Sequence, residues 1–203
     1  MRQAALARKL QEVPGFPAPR ADLEQVVTPP EAAATLLLEA LARGDLLGRR
    51  VADLGSGTGR LALGAAVLGA DPVVGWEADP VAVEVARATA RRWGLPVRFE
   101  ARAVVPPGPD ADTVLMNPPF GAQKARADRP FWEAALGGSA SAVYAFALSD
   151  SRSFIERRAV AHAARLDERR PIDWTFPATF RHHRERAVRL AVDLWVLHRT
   201  PPP

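Results

Sequence analysis

Hydrophobic residues recur along this 203-residue chain in two rhythms. Short apolar runs closed by Gly, Pro, Asp or Asn read as buried strands. Longer stretches with small and apolar residues three or four positions apart read as helices. Residues 1–13 predict a short helix, stopped by the Pro-rich "VPGFPAPR" (13–20). "TPPEAAATLLLEALARG" (28–44) predicts a helix opened by Thr28 and two prolines and closed by Gly44. From there strands and helices alternate. The strand "RRVADL" (49–54), the tight turn "GSGTG" (55–59) and the helix "RLALGAAVLGA" (60–70) come first. "DPVVGWE" (71–77) is the second strand and "DPVAVEVARATARRWG" (79–94) the next helix, with Asp79 as N-cap, Pro80 at its first position and Gly94 as its stop. "PVRFEARAVV" (96–105) and "ADTVLMN" (111–117) predict the third and fourth strands, "RPFWEAALGG" (129–138) a helix and "SAVYAFAL" (141–148) the fifth strand. "SRSFIERRAVAHAARLD" (151–167) predicts one more helix. The end, "IDWTFP" (172–177) and "RAVRLAVDLWVLHR" (186–199), predicts a strand pair, because Val188, Leu190, Val192, Leu194 and Val196 keep the period of two.

Such alternation with short connections predicts an α/β fold: a doubly wound, mostly parallel seven-stranded sheet with a C-terminal antiparallel strand, expected at the edge. One domain is expected over 1–203, a helical segment (1–45) followed by the core (46–203). Composition narrows the function. At 48% hydrophobic and 25% charged the chain is globular, and a pI of about 10.5 comes from a basic population that is almost all arginine, with Lys9 and Lys124 the only lysines. Arginine suits phosphate and planar-base contacts, which keeps nucleic acid in view. The absence of cysteine excludes disulfides, thiolate catalysis and Cys-ligated zinc. His182 and His183 lack a ligand partner at metal spacing, so no metal site is expected. Without an apolar run long enough to span a membrane, or a signal-peptide pattern, the expected location is the cytoplasm.

Two motifs carry chemistry. In "VADLGSGTGR", Asp53 closes the first strand ahead of Gly55, Ser56, Gly57 and Gly59, and Glu77 closes the second strand. Glycines permit positive φ and close backbone approach to a ligand at the switch point of such a sheet. A dinucleotide fingerprint would read GxGxxG over a pyrophosphate; here the spacing is GxGxG with an Asp in front. That favours a nucleoside ligand without phosphates, such as S-adenosylmethionine, with Asp53 facing its cationic group and Glu77 its ribose. The second motif, "LMNPPFGAQ", leaves the fourth strand with Asn117, Pro118, Pro119 and Phe120. The prolines fix this backbone and extend the residue before them.

With these motifs the chain resembles the class I S-adenosylmethionine-dependent methyltransferases, Rossmann-like enzymes that methylate exocyclic or amide nitrogens. "LEQVVTPPEAAATLL", "MNPPFGAQ" with "ADRPF", and "FPATFRHHRERAVRLAVDLWV" make it similar in particular to the archaeal and eukaryotic small-subunit ribosomal RNA adenine-N6 methyltransferases, nearly throughout from Leu23. The resemblance implies S-adenosyl-L-methionine as cofactor, Gln25 and Thr28 at its methionine end, Asn117 beside it, RNA as substrate, and a small zinc-binding activator protein as a partner in eukaryotic members. An adenine N6 amine is a poor nucleophile because its lone pair is delocalised into the ring. The Asn117 side-chain oxygen and the Pro118 carbonyl can accept both amine hydrogens and favour a pyramidal nitrogen. Phe120 offers a ring for the extruded base. No general base is needed if the proton leaves after methylation. Lys124, Arg126 and Arg129 in "GAQKARADRP", and Arg181, His182, Arg184 and Arg186 in "FRHHRERAVR", are candidate phosphate contacts. The chain departs from the family after the third strand, where Ala101 or Arg102 stands in place of an acidic residue and Glu100 is the nearest carboxylate, and after the fifth, where "ALSDS" replaces a His-Lys pair. Trp93, Phe131, Trp132, Phe154 and Trp195 are assigned to packing. Two other readings are a glutamine-amide methyltransferase of release-factor type and a non-catalytic RNA-binding protein with this fold.

Overall fold

Seven strands form one sheet in the order β3-β2-β1-β4-β5-β7-β6 in a computed structural model, which describes residues 1–121, 124–174 and 191–200. The strands are β1 (Val51–Leu54), β2 (Val73–Glu77), β3 (Val97–Ala101), β4 (Thr113–Met116), β5 (Ala142–Leu148), β6 (Ala164–Ile172) and β7 (Val192–Arg199). The helices are α1 (Gln3–Gln11), α2 (Pro30–Ala42), α3 (Arg60–Val67), α4 (Pro80–Trp93), α5 (Arg129–Gly137) and α6 (Arg152–Ala161). β1 to β5 run parallel, and β7 is antiparallel to both its neighbours. Strand order reverses between β1 and β4, where Leu54 pairs with Met116, so the turn after β1 and the Asn-Pro-Pro turn after β4 open side by side. In doubly wound sheets that crevice is the ligand site.

The sequence makes these elements for local reasons. β1 and β4 are buried at every position because helices cover both faces of the sheet, which gives continuous apolar runs and not alternation. β5 shows the two faces directly. Tyr144 and Phe146 join a core with α1, α2, α3 and α4, while Val143, Ala145 and Ala147 join Trp132, Ile155 and Trp195 under α5 and α6. α4 starts as its sequence dictates: the Asp79 carboxylate accepts from the Val81 amide at 2.9 Å, Pro80 follows, and Gly94 ends it at φ 64°. α2 is different. Its N-cap is Pro29 and no side chain caps it, so Thr28 precedes the helix with its hydroxyl available for other work.

The last third departs from expectation. The helix expected over 151–167 stops at Ala161, and Ala163 at φ 52° turns the chain into β6. β6 pairs with β7 over its length, Leu166 facing Leu197 and Pro171 facing Asp193. Ala, Arg, Leu and Glu favour helix in isolation, but pairing with β7 overrides that propensity. The charged residues of β6 sit on the sheet's outer edge, where they discourage further strand addition and hide the period of two. β7 therefore lies one place in from the edge and not at it. In the expected strand 172–177 only Ile172 is β-structure among the described residues, and 175–177 lie outside them. β7 keeps the predicted alternation, Val192, Leu194 and Val196 entering one core and Trp195 and Leu197 the other. Val188 and Leu190 lie outside the described residues.

Candidate active site

The glycine turn after β1 is closed over the tip of β2, the amides of Gly55 and Ser56 both donating to the Trp76 carbonyl at 2.8 and 2.9 Å. Its shape needs glycine at two places above all. Gly57 has φ 54°, and a Cβ there would meet Phe16 at 2.9 Å; Gly59 has φ 93°, and a Cβ would meet Phe99 at 2.8 Å. Phe16 belongs to the segment before α2, so that segment covers the turn.

Two buried carboxylates frame the turn. Asp53, 1% exposed, accepts from the Ala62 amide of α3 at 2.9 Å through Oδ2, while its Oδ1 is buried without a hydrogen-bond partner. Burial pushes its pKa up to about 7. Glu77 accepts from the Gly57 amide through Oε2 and from the Asp79 amide through Oε1, both at 2.9 Å, and burial raises its pKa too. The Ser56 hydroxyl is buried and unpartnered as well. A neutral or cationic ligand bearing hydrogen-bond donors is what such a lining lacks.

Opposite, the Asn117 side chain is fixed by one hydrogen bond: its Nδ2 donates to Thr28 Oγ1 at 3.0 Å. That leaves Asn117 Oδ1 buried with no partner. Pro118 is buried, and Pro119 and Phe120 are half-buried. The Phe120 ring stands edge-on to Trp174 at 5.9 Å between centroids, and Trp174 stands edge-on to Phe146 at 5.0 Å. An amide oriented by a neighbour, with its oxygen bare, is an acceptor awaiting a donor.

The structure brings Asp53, the glycine turn, Glu77, Thr28 and Asn117 to one crevice. Gln25 takes a place at the β2 corner, where its Nε2 donates to Asp79 Oδ2 at 2.8 Å and its Oε1 accepts from the Arg20 amide at 2.8 Å. After β3, Ala101 ends the strand opposite Glu77, and the Arg102 guanidinium lies 3.9 Å from the centre of the Trp76 ring. Glu100 pairs with Arg98 at 2.9 Å. Lys124, Arg126 and Arg129 are exposed on the approach to α5, with Arg129 over the Phe154 ring at 5.3 Å. Arg181, His182, Arg184 and Arg186 lie outside the described residues. Trp132 and Trp195 are fully buried, and Phe131 packs on Gly55.

Sequence reasoning passed over two residues that build the site. Arg60, the first residue of α3, is buried and donates to the backbone carbonyls of Thr28 and of Val13, the latter at 2.9 Å, while burial lowers its pKa to about 10. Glu24 accepts from the Gly121 amide at 2.9 Å. Both act across long sequence separations, and only the adjacency of Glu24 to Gln25 gave a hint.

Comparison with known proteins agrees with this geometry. The methyltransferase small domain family matches residues 29–139. The chain is 34% identical over 198 residues to the rRNA N(6)-adenosine-methyltransferase Mettl5 of Drosophila melanogaster, covering 94% of this chain and 93% of that protein. It is 32% identical over 200 residues to the METTL5 protein of the same description from Danio rerio, covering 95% and 97%. A Pyrococcus horikoshii crystal structure, described as a candidate RNA methyltransferase, superposes with a TM-score of 0.91 at 36% identity over 98% of each chain. With a matching fold and relatives of one description aligned over nearly their whole length, this chain belongs to the methyltransferase small domain family and, within it, to the group of the rRNA N(6)-adenosine-methyltransferases.

Proposed function

We propose that this protein transfers a methyl group from S-adenosyl-L-methionine to the N6 amine of an adenosine in RNA, ribosomal RNA being the substrate that its relatives' names give. The observation that carries the reading is the buried Asn117 Oδ1, free of partners and held in place by Thr28. Asp53 Oδ1 and Ser56 Oγ, also buried and unpartnered, fit the cofactor. When bound, S-adenosylmethionine supplies an electrophilic methyl group. In this reading Gln25, Thr28, Asp53, Gly55, Ser56, Gly57, Gly59, Glu77 and Asn117 line its site.

The chain's own residues do the rest. Asn117 Oδ1 and the Pro118 carbonyl accept the two hydrogens of the target amine, drawing nitrogen out of conjugation so that its lone pair points into the crevice. Pro118 and Pro119 keep both acceptors aimed without a search. Phe120, supported edge-on by Trp174, takes the base by its face. The amine proton departs after transfer, so no buried base is assigned. Lys124, Arg126 and Arg129, with Arg181, His182, Arg184 and Arg186, take the RNA backbone. One domain spans 1–203, its helical segment 1–45 joined to the core 46–203; the cytoplasm is the proposed location, and a small zinc-binding activator protein is a proposed partner. Asn117→Ala tests the assignment: the loss of a positioned acceptor cuts turnover by about a hundredfold or more, a fall much larger than any loss of cofactor affinity. Turnover near that of the unaltered enzyme would refute it.

A further inference from the structure

The stretch between α1 and α2 is a strap laid across the crevice. Its two ends are tied to the start of α3, since Arg60 holds the carbonyls of Val13 and Thr28, and the Thr58 hydroxyl donates to the Pro14 carbonyl at 2.7 Å. Between those anchors two consecutive side chains fasten opposite walls. Gln25 reaches Asp79 at the β2 corner. Glu24 reaches the other way, to the loop that leaves the Asn-Pro-Pro-Phe turn, accepting from the Gly121 amide at 2.9 Å through Oε2 and from the Lys124 amide at 3.3 Å through Oε1. The backbone of Glu24 is bent for this: it ends a 3-10 turn at φ 49°, in the left-handed region that a side-chain-bearing residue enters only where its surroundings hold it.

A carboxylate suits this place for a chemical reason. It offers two acceptor oxygens and no donor, so it can take two converging N–H groups at once. A glutamine would keep one acceptor and set an NH2 group against the other amide. Gly121 follows Phe120 directly, so whatever fixes the Gly121 amide fixes where the Asn117–Phe120 turn ends.

Resting on the methyl-transfer function proposed above, we infer that Glu24 is a positioning residue of the reaction: by bridging the Gly121 and Lys124 amides it holds the Asn117–Phe120 turn in its working pose. The rival role for a negative charge beside this basic loop is to repel RNA, and the two roles separate cleanly. Repulsion predicts that Glu24→Gln tightens RNA binding and leaves the chemical step alone. Positioning predicts a loss in that step.

The test uses the full chain with Glu24→Gln, Glu24→Asp and Glu24→Ala, reading cofactor affinity by calorimetry, kcat and KM on RNA, and hydrogen exchange at the Gly121 amide. Loss of a charge-assisted hydrogen bond predicts kcat lower by about tenfold to a hundredfold in Glu24→Gln. Cofactor affinity should stay within about twofold, Gly121 should exchange faster, and Glu24→Asp should recover part of kcat. Unchanged kcat with unchanged exchange overturns the inference, as does a tighter KM for RNA at constant kcat. A fall in cofactor affinity equal to the fall in kcat also overturns it, because Glu24 would then support the whole strap. If the unaltered protein methylates no adenosine, the proposed function fails on its own, and Gly121 exchange in Glu24→Ala still decides whether the carboxylate holds the loop.

Discussion

Replacing Asp53 with Asn removes one titrating group and almost no volume, so its effect can be worked out from the site. Asp53 is fully buried, and its pKa is pushed from the ordinary 3.8 up to about 7, first by burial and then by the nearby Glu77 charge, against the pull of the Ala62 amide. The folded protein therefore keeps this proton between about pH 4 and 7, where the unfolded chain has already lost it. Stability from this group is complete below pH 4 and is lost as the pH rises through 7. Three pH units at 1.36 kcal/mol each amount to about 4 kcal/mol. Urea denaturation of both proteins across pH 4 to 8 should show Asp53→Asn gaining on the unaltered protein by about that much, with the gain levelling off above pH 7. Glu77 is raised by burial with the same sign, but it titrates in both proteins and largely cancels in the difference. Cofactor binding should mirror this: an ionised Asp53 favours a cationic ligand, so affinity should climb as pH passes 7 and stay flat in Asp53→Asn. A stability difference that does not change with pH would refute the reasoning.

Two further outcomes test other parts of the site. Gly59→Ala forces a side chain onto φ 93° and a Cβ to within 2.8 Å of Phe99 and 3.0 Å of Ala86, and should destabilise the fold by about 1–3 kcal/mol in a thermal melt; an unshifted transition would mean that the turn relaxes freely. Replacing Lys124, Arg126 and Arg129 with Ala should make the logarithmic salt dependence of RNA binding shallower by about 0.7 for each phosphate no longer neutralised, and an unaltered slope would remove these residues from the RNA surface.

Much of this architecture is written locally. β1 and β4 are short apolar runs closed by Gly55 and Asn117, and the ends of β1, β2 and β4 place Asp53, Glu77 and Asn117 on one side of the sheet. What escaped lies in pairings between distant residues. β6 is a strand because β7 pairs with it, while its own charged sequence favours helix. Thr28 looks like a helix cap, yet its hydroxyl serves Asn117, 89 residues away. Glu24 reaches Gly121 across 97 residues and Arg60 reaches back to Val13 across 47, and neither pairing leaves a periodic trace. Trp174 is buried behind Phe120, a contact between residues far apart in sequence that no local pattern marks.

The central claim is that the methyl group goes to an adenine amine held by Asn117. The direct measurement supplies the protein with methyl-labelled S-adenosylmethionine, ribosomal RNA and a release-factor protein together, then digests both polymers and locates the label. N6-methyladenosine should carry it, and Asn117→Ala should abolish it while still binding cofactor. Label in a protein glutamine and none in adenosine would contradict the account.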